Sequence, residues 1–580
     1  MVLELTDDRR RQAPLAVALL APVASLATEF PVRAARLRRR NILIALAAAA
    51  AVSLATPLVR HRYPQVAEVL AAGLEVNDGT MPLEPPVILS QYTLEPLLRE
   101  AAEATPGVTV RFGAELIDFA AAGSGVTATV HTSSRLRTLR ADYLVGCDGA
   151  DSTVRAMLGV ELRGQTRQPE RQALIYCPDL YERLPAGRAI QYHIVGELPC
   201  TLIVQDDAQH FTLHAPQAGP SGPPLATLFE AVAGQHVRNG YKIVCEGEWA
   251  QDLLLAEHYC GAGRVFLAGD AAHPASTTGG LGMSIAVADA ADLAWKLAGT
   301  LQGWGGPALL RSYETERRPV AAQAITASLA AAEAERRWRA EWRSDILHDT
   351  PSGARSRLRL IQAAAEERWY ADLTEIEHGY RYTASPVLAT VAGTSASAAA
   401  ATWPGARLPH LWLDDGRPLH DLLGTGFTLL RLPGAADKGA REYARELAGA
   451  FGRRGVPFDM LEVSAAAAQV VYAGHRLILV RPDLHVAWRS GDSQPDAAAL
   501  AALVTGNLRE SPPARLPARL GAAARALGCG LARSPESRVT AATTRGRRGR
   551  HSRRRPPRRS TCARRPSGRR AASAGTRTRR

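Results

Sequence analysis

The sequence predicts a mixed α/β (α+β) protein: one α/β body split into two stretches by a β-rich insert, then a second α/β module. Three observations carry this. Short apolar runs that end in glycine-bearing turns and lead into helical patterns occur at 142–155 and again at 264–297. Between them, from about 165 to 250, short alternating runs are broken by Pro and Gly. A further α/β pattern runs from Leu408 to about Val504. A chain of 580 residues is too long for one core and should hold two to four domains. The expected divisions are 1–84, an atypical opening; 85–160 and 256–306, the split body; 161–255, the inserted sheet; 307–404, a helical linker; 405–505, the second module; and 506–580, a tail.

Residues 1–84 are rich in Ala and Arg, and the first glycine of the chain is Gly73. Ile42–Val59 is apolar and about long enough to span a bilayer. Much of it is alanine, however, and it carries Ser53, Thr56 and Pro57, so a buried helix is expected and no membrane partner. It also starts too far from Met1 for a secretory signal. Around Leu89–Arg99, Thr93 is positioned to cap a helix with Leu94, Leu97 and Leu98 on one face. Strands are expected where Val108, Val110 and Phe112 alternate, where Val126, Ala128 and Val130 do, and at Tyr143–Val145. Ile190–Ile194 and Thr201–Val204 read as strands of the insert, and 307–375 as helix.

The net charge of +14 suggests nucleic acid until it is located: 16 arginines and no acid lie between Arg545 and Arg580, leaving about −2 elsewhere. That tail has no interleaved aromatics and a composition that out-of-frame translation of GC-rich DNA also yields, so disorder and no nucleic-acid partner are expected. The seven cysteines lack zinc or dithiol spacing and read as reduced thiols of a cytoplasmic protein.

The chemistry concentrates in two segments. In Arg264-Val-Phe-Leu-Ala-Gly-Asp-Ala-Ala-His273, a buried strand ends at Gly269, and Asp270 emerges where open α/β sheets bind ligands. Then Gly279-Gly-Leu-Gly-Met283 opens a helix whose free amides and positive dipole end suit a planar, anionic ligand edge. Met283, Val287, Ala290, Ala294 and Leu297 are expected on one face of it. In Asp142-Tyr-Leu-Val-Gly-Cys-Asp-Gly-Ala-Asp-Ser-Thr-Val-Arg155, an Asp148-Gly149 turn sits between strand and helix; alone, it also reads as an ordinary turn.

The joined segments resemble the internal motifs of the para-hydroxybenzoate hydroxylase-like FAD-dependent aromatic monooxygenases. The resemblance covers about residues 85–505 and implies a discontinuous, Rossmann-like FAD-binding domain with the inserted sheet as substrate domain. It assigns FAD contact to Gln91, Asp148, Gly149, Arg155, Gly269, Asp270, Gly280, Leu281, Gly282 and Met283, with Asp270 on the ribityl chain. It implies NADPH or NADH as reductant, molecular oxygen as co-substrate, and hydroxylation of a phenolic or polycyclic aromatic ring through a flavin C4a-hydroperoxide. No triad or metal is expected. Gln191, Tyr192, His193 and Trp249 are candidate substrate-wall residues, although each also reads as ordinary sheet packing.

Leu408–Leu413, Gly426–Leu430 and Arg481–Arg489 resemble the thioredoxin-like domain of phenol and polyketide hydroxylases. With no cysteine between Cys260 and Cys529, this module is expected to pack or to form a homodimer contact rather than exchange disulfides. Three departures stand out. No GxGxxG turn precedes Gly73, so Met1–Glu4 would be the end of a second strand in a chain with a truncated or misplaced start. Ser276 and Thr277 stand where the family often has a proline pair, and Ser284 where asparagine is usual. The alternatives are an inactive relative that binds FAD poorly, or a related flavoprotein reductase or halogenase. The halogenase Trp-x-Trp-x-Ile-Pro motif is absent.

Overall fold

The computed structural model describes residues 66–507 apart from 85–88, 134, 185–187, 197–198, 218–221, 234–236, 238–239, 262, 276–278, 367–375, 390–401, 433–437, 465, 473–474 and 492–493. The expectations for Glu4, for the run 42–59, for Ser276 and Thr277, and for the Arg-rich tail fall outside the described residues. Among the described residues, no helix is long and apolar enough to cross a membrane, and no disulfide joins the five cysteines.

Helix α1 (Val66–Val76) is followed by α2 (Gln91–Ala104). Ser90, not Thr93, is the residue before α2; its carbonyl accepts from the amides of Thr93 and Leu94 at 3.0 Å each. The Ser90 hydroxyl instead reaches Asp206 Oδ1 at 2.6 Å, pinning the helix start to a distant turn. No residue of α2 is buried, so the Leu94–Leu98 stripe is not a core face. Residues 108–112 form no strand. Phe112 lies under the Arg99 guanidinium at 4.5 Å, and the first strand begins only after the left-handed turn at Gly113.

Strands β1 (Glu115–Ala122), β2 (Gly125–His131) and β3 (Leu136–Ala141) make an antiparallel meander. β4 (Leu144–Gly146) leads through the Asp148-Gly149 turn into α3 (Thr153–Leu158). The chain then enters the insert with β5 (Leu162–Tyr176), a short helix α4 (Leu180–Arg183), β6 (Gln191–Ile194), β7 (Cys200–Val204), β8 (His210–Pro216), α5 (Leu225–Ala233) and β9 (Lys242–Ala256). These strands pair in the antiparallel order β6-β7-β8-β5-β9. Alternate residues of the sheet, including Tyr192, Leu202, Phe211 and Ile175, face α5 and form a closed core with Leu228, Phe229 and Val232.

The chain returns to the first body through β10 (Cys260–Gly261) and β11 (Val265–Leu267). β11 lies parallel to β4, with Val265 opposite Leu144 and Leu267 opposite Gly146. Parallel neighbours need a long crossover, and the whole β-rich insert supplies it. Helices α6 (Leu281–Leu301) and α7 (Pro307–Ala340) follow; α7 starts with proline at its first turn, where no amide donor is missed. The expected helical stretch 307–375 breaks at Glu341–Thr350 before α8 (Pro351–Glu366).

The C-terminal module contains β12 (Phe427–Arg431), α9 (Lys438–Arg453), β13 (Phe458–Glu462), α10 (Ala466–Val471), β14 (Leu477–Val480), β15 (Val486–Arg489) and α11 (Ala497–Val504). A parallel β12-α9-β13 unit joined to an antiparallel β14-β15 pair, in the order β13-β12-β14-β15, is a thioredoxin-like arrangement. It shares one apolar core with α6 and α7: Trp295, Trp304 and Leu309 pack with Phe427, Leu429, Trp488 and Leu500. Backbone bonds Gly306 N–Thr505 O at 2.8 Å and Ala308 N–Gly506 O at 3.1 Å close the seam.

Candidate functional site

The parallel β4–β11 pair brings the two motif segments together. Ala268 N donates to Gly146 O at 3.1 Å, so the Cys147–Asp148 and Gly269–Asp270 turns leave the sheet side by side at its C-terminal edge. Arg155, on α3, joins them: Nη1 donates to Ala271 O at 2.9 Å and Nη2 to Ala150 O at 2.7 Å. Asp148 is used inside its own turn, accepting from Ser152 Oγ at 2.5 Å and Val154 N at 3.0 Å, and Gly149 completes that turn. These residues shape the loop; they do not project a free carboxylate.

Asp270 does project. Its side chain is exposed at the strand end, while the protein crowding it raises the carboxyl above its usual range against the opposing pull of His273. Gly269, before it, adopts φ +61°, a left-handed turn, and approaches Ala286 of α6 so closely that a Cβ would lie 3.2 Å from the Ala286 methyl.

The start of α6 is open. Gly280 sits at the N-cap with φ +69°; among the described residues nothing lies within 4 Å of where its Cβ would be, and as glycine it offers no side-chain cap. The first amides of a 21-residue helix therefore face outward at its positive end. Leu281 anchors this turn in the core, Gly282 leaves it slim, and Met283 is 63 % exposed. An uncapped helix start, open space over its glycine and an exposed carboxylate nearby fit the isoalloxazine and ribityl parts of FAD.

The inner face of α6 is not the one its apolar spacing suggests. Met283 and Val287 point outward, and the buried residues are Leu281, Ile285, Asp289, Asp292, Leu293, Trp295, Lys296 and Gly299. Asp289 is fully buried. Its Oδ2 accepts from His273 Nε2 at 2.6 Å and from Gly269 N at 3.1 Å, and its Oδ1 from Arg317 Nε at 2.7 Å. Burial alone would push this carboxyl up, but the His273 bond and the Arg317 cation hold it below its ordinary value.

One turn further, Asp292, Lys296, Glu316, Arg481 and Asp483 form a second buried cluster. Lys296 Nζ reaches Asp292 at 2.7 Å and Glu316 at 2.6 Å. Arg481 Nη1 donates to Glu316 at 2.7 Å, and its Nη2 to Asp292 at 2.8 Å and Glu316 at 2.9 Å. Burial keeps Asp292 well above the carboxylate range, whereas the Arg481 cation overcomes burial at Glu316 and Asp483 and holds both low. Lys296 and Arg481 between them bind all three carboxyls of this cluster.

The remaining sequence candidates are spread. Gln91, in the first turn of α2, bonds Glu95 at 2.6 Å, and its neighbour Tyr92 stands edge-on to His210 of the sheet. Gln191, His193 and Trp249 lie on the sheet face opposite α5; Trp249 meets His214 edge-on at 5.7 Å. Tyr192 points the other way, fully buried in the core, so it cannot be a wall residue on that face. His193 is taken up by α7: Arg339 Nη2 lies 3.1 Å from its Nδ1, and the Trp338 ring packs edge-on to it. Sequence reasoning missed Asp289, Arg317 and the Arg481 cluster. The signal was present in three charges, Asp289, Asp292 and Lys296, spaced to share one side of an otherwise apolar helix.

Comparison with known proteins gives the family this chain is similar to. A family model described as an FAD binding domain matches residues 48–197 and 229–328, and another, the C-terminal part of aromatic-ring hydroxylases, matches 401–508. The chain is 30 % identical over 486 residues to the FAD-dependent monooxygenase opdD of Penicillium oxalicum, covering 75 % of this chain and 88 % of that one. It superposes on the rebeccamycin biosynthetic enzyme RebC with reduced flavin at TM-score 0.63 and 33 % identity, over 73 % of this chain and 79 % of the other. Aklavinone-11 hydroxylase in ternary complex with FAD and aklavinone gives TM-score 0.62 and 29 % identity, over 78 % and 84 %.

Proposed function

The chain belongs to the FAD-dependent aromatic-ring hydroxylases, and from that membership we propose that it is a monooxygenase hydroxylating a phenolic or polycyclic aromatic compound. The single observation that carries the reading is the open N-terminus of α6 beside the exposed Asp270, at the end of two parallel strands. When bound, FAD supplies the redox and oxygen chemistry, drawing electrons from NADPH or NADH of the cytoplasm and reacting with molecular oxygen.

The chain's own residues do the rest. Asp270 accepts hydrogen bonds from ribityl hydroxyls. The amides of Leu281, Gly282 and Met283, with Gly280 leaving room above them, stabilise the negative charge that reduction places on the pyrimidine edge. Arg155, Asp148 and Gly149 hold the adjacent turn in register, and Gln91 approaches the ring system from α2. The sheet face that carries Gln191 and Trp249 orients the substrate ring and keeps water away. In this reading 85–160 and 256–306 are the cofactor-binding stretches, 161–255 the substrate layer and 405–505 the thioredoxin-like module.

The test is turnover. Purified chain with FAD and NADPH in air, offered a panel of phenols and fused-ring hydroxyquinones, should convert at least one to a product heavier by one oxygen atom. NADPH oxidation that no member of the panel stimulates, with no oxygenated product, would argue against the proposal.

A further inference from the structure

The C-terminal module reaches into the first body with one charged side chain. Arg481, at the end of β14, is fully buried between the rings of Trp295 and Tyr382, 5.0 and 5.2 Å from their centroids. Its guanidinium bonds Asp292 of α6 and both oxygens of Glu316 of α7, partners 189 and 165 positions away. Its own strand end supplies Asp483, bound to Nε at 3.0 Å.

Docking alone does not require this arrangement. The module already shares an apolar core with α6 and α7 through Phe427, Leu429, Trp488 and Leu500. A buried ion cluster adds little to such a seam over well-packed apolar groups. What a guanidinium fork adds is direction, because its N–H groups donate to carboxylate oxygens only in fixed positions. Here it fixes the rotation and height of α6 against α7. One turn nearer the open end, on the same face, Asp289 holds the Gly269 amide and His273. A shift of α6 at Asp292 therefore moves both the helix start at Gly280 and the Gly269–Asp270 turn.

We propose that Arg481 is a positioning residue for the flavin: through Asp292 and Glu316 it sets the helix whose N-terminus meets the isoalloxazine. The proposal rests on the FAD reading above. It makes the cysteine-free thioredoxin-like module a working part of the cofactor site.

The test uses the full chain in three variants, R481M, R481K and, as a control that weakens the shared apolar seam but leaves the ion cluster intact, L500A. FAD affinity is read by quenching of flavin fluorescence, flavin environment by its visible spectrum and midpoint potential, and α6 by amide exchange at 281–285 without flavin. R481M should weaken FAD binding about tenfold or more, within the range usual for coupled sites. It should also shift the spectrum and potential and speed exchange at 281–285, with partial recovery in R481K. L500A should lower stability yet leave FAD affinity within about twofold of wild type. Unchanged affinity and unchanged exchange in R481M overturn the proposal, as does L500A moving affinity as far as R481M. Should R481M not fold, R481K carries the test, since an ammonium keeps the charge at this position without the fork; wild-type affinity and exchange in it count against the proposal. A wild-type chain that binds no FAD instead overturns the flavin reading itself, and the exchange data still show whether Arg481 governs α6.

Discussion

Removing the Asp289 carboxylate should nearly unfold the first body. It accepts from Arg317 Nε and from the amide of Gly269, and it also faces His273 Nε2. In Asp289→Leu the buried Arg317 charge loses its carboxylate, a change that costs about 3–5 kcal/mol in comparable buried pairs. The stranded Gly269 amide adds about 1–3 kcal/mol. The sum, about 4–8 kcal/mol, is a large part of the roughly 5–15 kcal/mol that holds an ordinary domain folded. The assay is urea unfolding of the purified chain followed by tryptophan fluorescence. D289L should lose most of its unfolding transition, and D289N, which keeps the shape but turns one acceptor into a donor, should fall between D289L and wild type. The double variant D289L/R317L should be more stable than D289L, because the uncompensated charge is gone. A D289L transition within about 1 kcal/mol of wild type, or a double variant that loses the sum of both singles, would refute the buried-pair account.

Asp270→Asn should cut FAD affinity about tenfold or more while sparing the fold, as one hydrogen-bonded charge on a ligand is worth about 1.5–3 kcal/mol; equilibrium dialysis with FAD measures it. Because the folded protein raises the Asp270 carboxyl, that carboxyl favours folding most below its unfolded pKa of about 3.9, and the benefit is lost as pH rises. Flavin-free D270N should therefore be at least as stable as wild type at neutral pH, and a clear loss there in a pH series of urea midpoints would oppose this sign. Gly280→Val forces a branched residue into φ +69° at a cost of about 1–3 kcal/mol and blocks the open helix start, so flavin retention on gel filtration should drop far more than thermal stability. At Glu335, burial pushes the carboxyl up, but the His193 bond and the Arg339 cation bring it down to about 2. That stability is present above the unfolded carboxyl pKa of about 4.3 and disappears as pH falls towards 2, so E335Q should flatten the acid limb of the stability curve between those values.

The parts of the fold that local chemistry specifies were legible in the sequence. Val265–Leu267 is a buried strand because four apolar residues precede a glycine turn, and α6 begins at Leu281, just after Gly280 takes the left-handed conformation that glycine adopts readily. Residues 108–112 misled, since alternating apolar residues signal a strand only when a neighbour is there to pair. The face of α6 misled for a related reason. Apolar spacing marks the buried side only if buried residues are apolar, and here Asp289, Asp292 and Lys296 are buried because partners on α7 and β14 neutralise them. Those partners are far away in sequence, and no local pattern announces them. Tyr192 and His193 show the limit at single-residue scale: neighbours in a strand point to opposite faces, and the alternation could not say which face meets the ligand.

The measurement that bears most directly on the account is the visible spectrum of the purified chain, as isolated and after incubation with FAD followed by gel filtration. Flavin bands should stay with the protein, bleach on NADPH under nitrogen and return in air. A chain that leaves the column colourless at saturating FAD would contradict the claim that the open helix start at Gly280 and the carboxylate of Asp270 form a working flavin site.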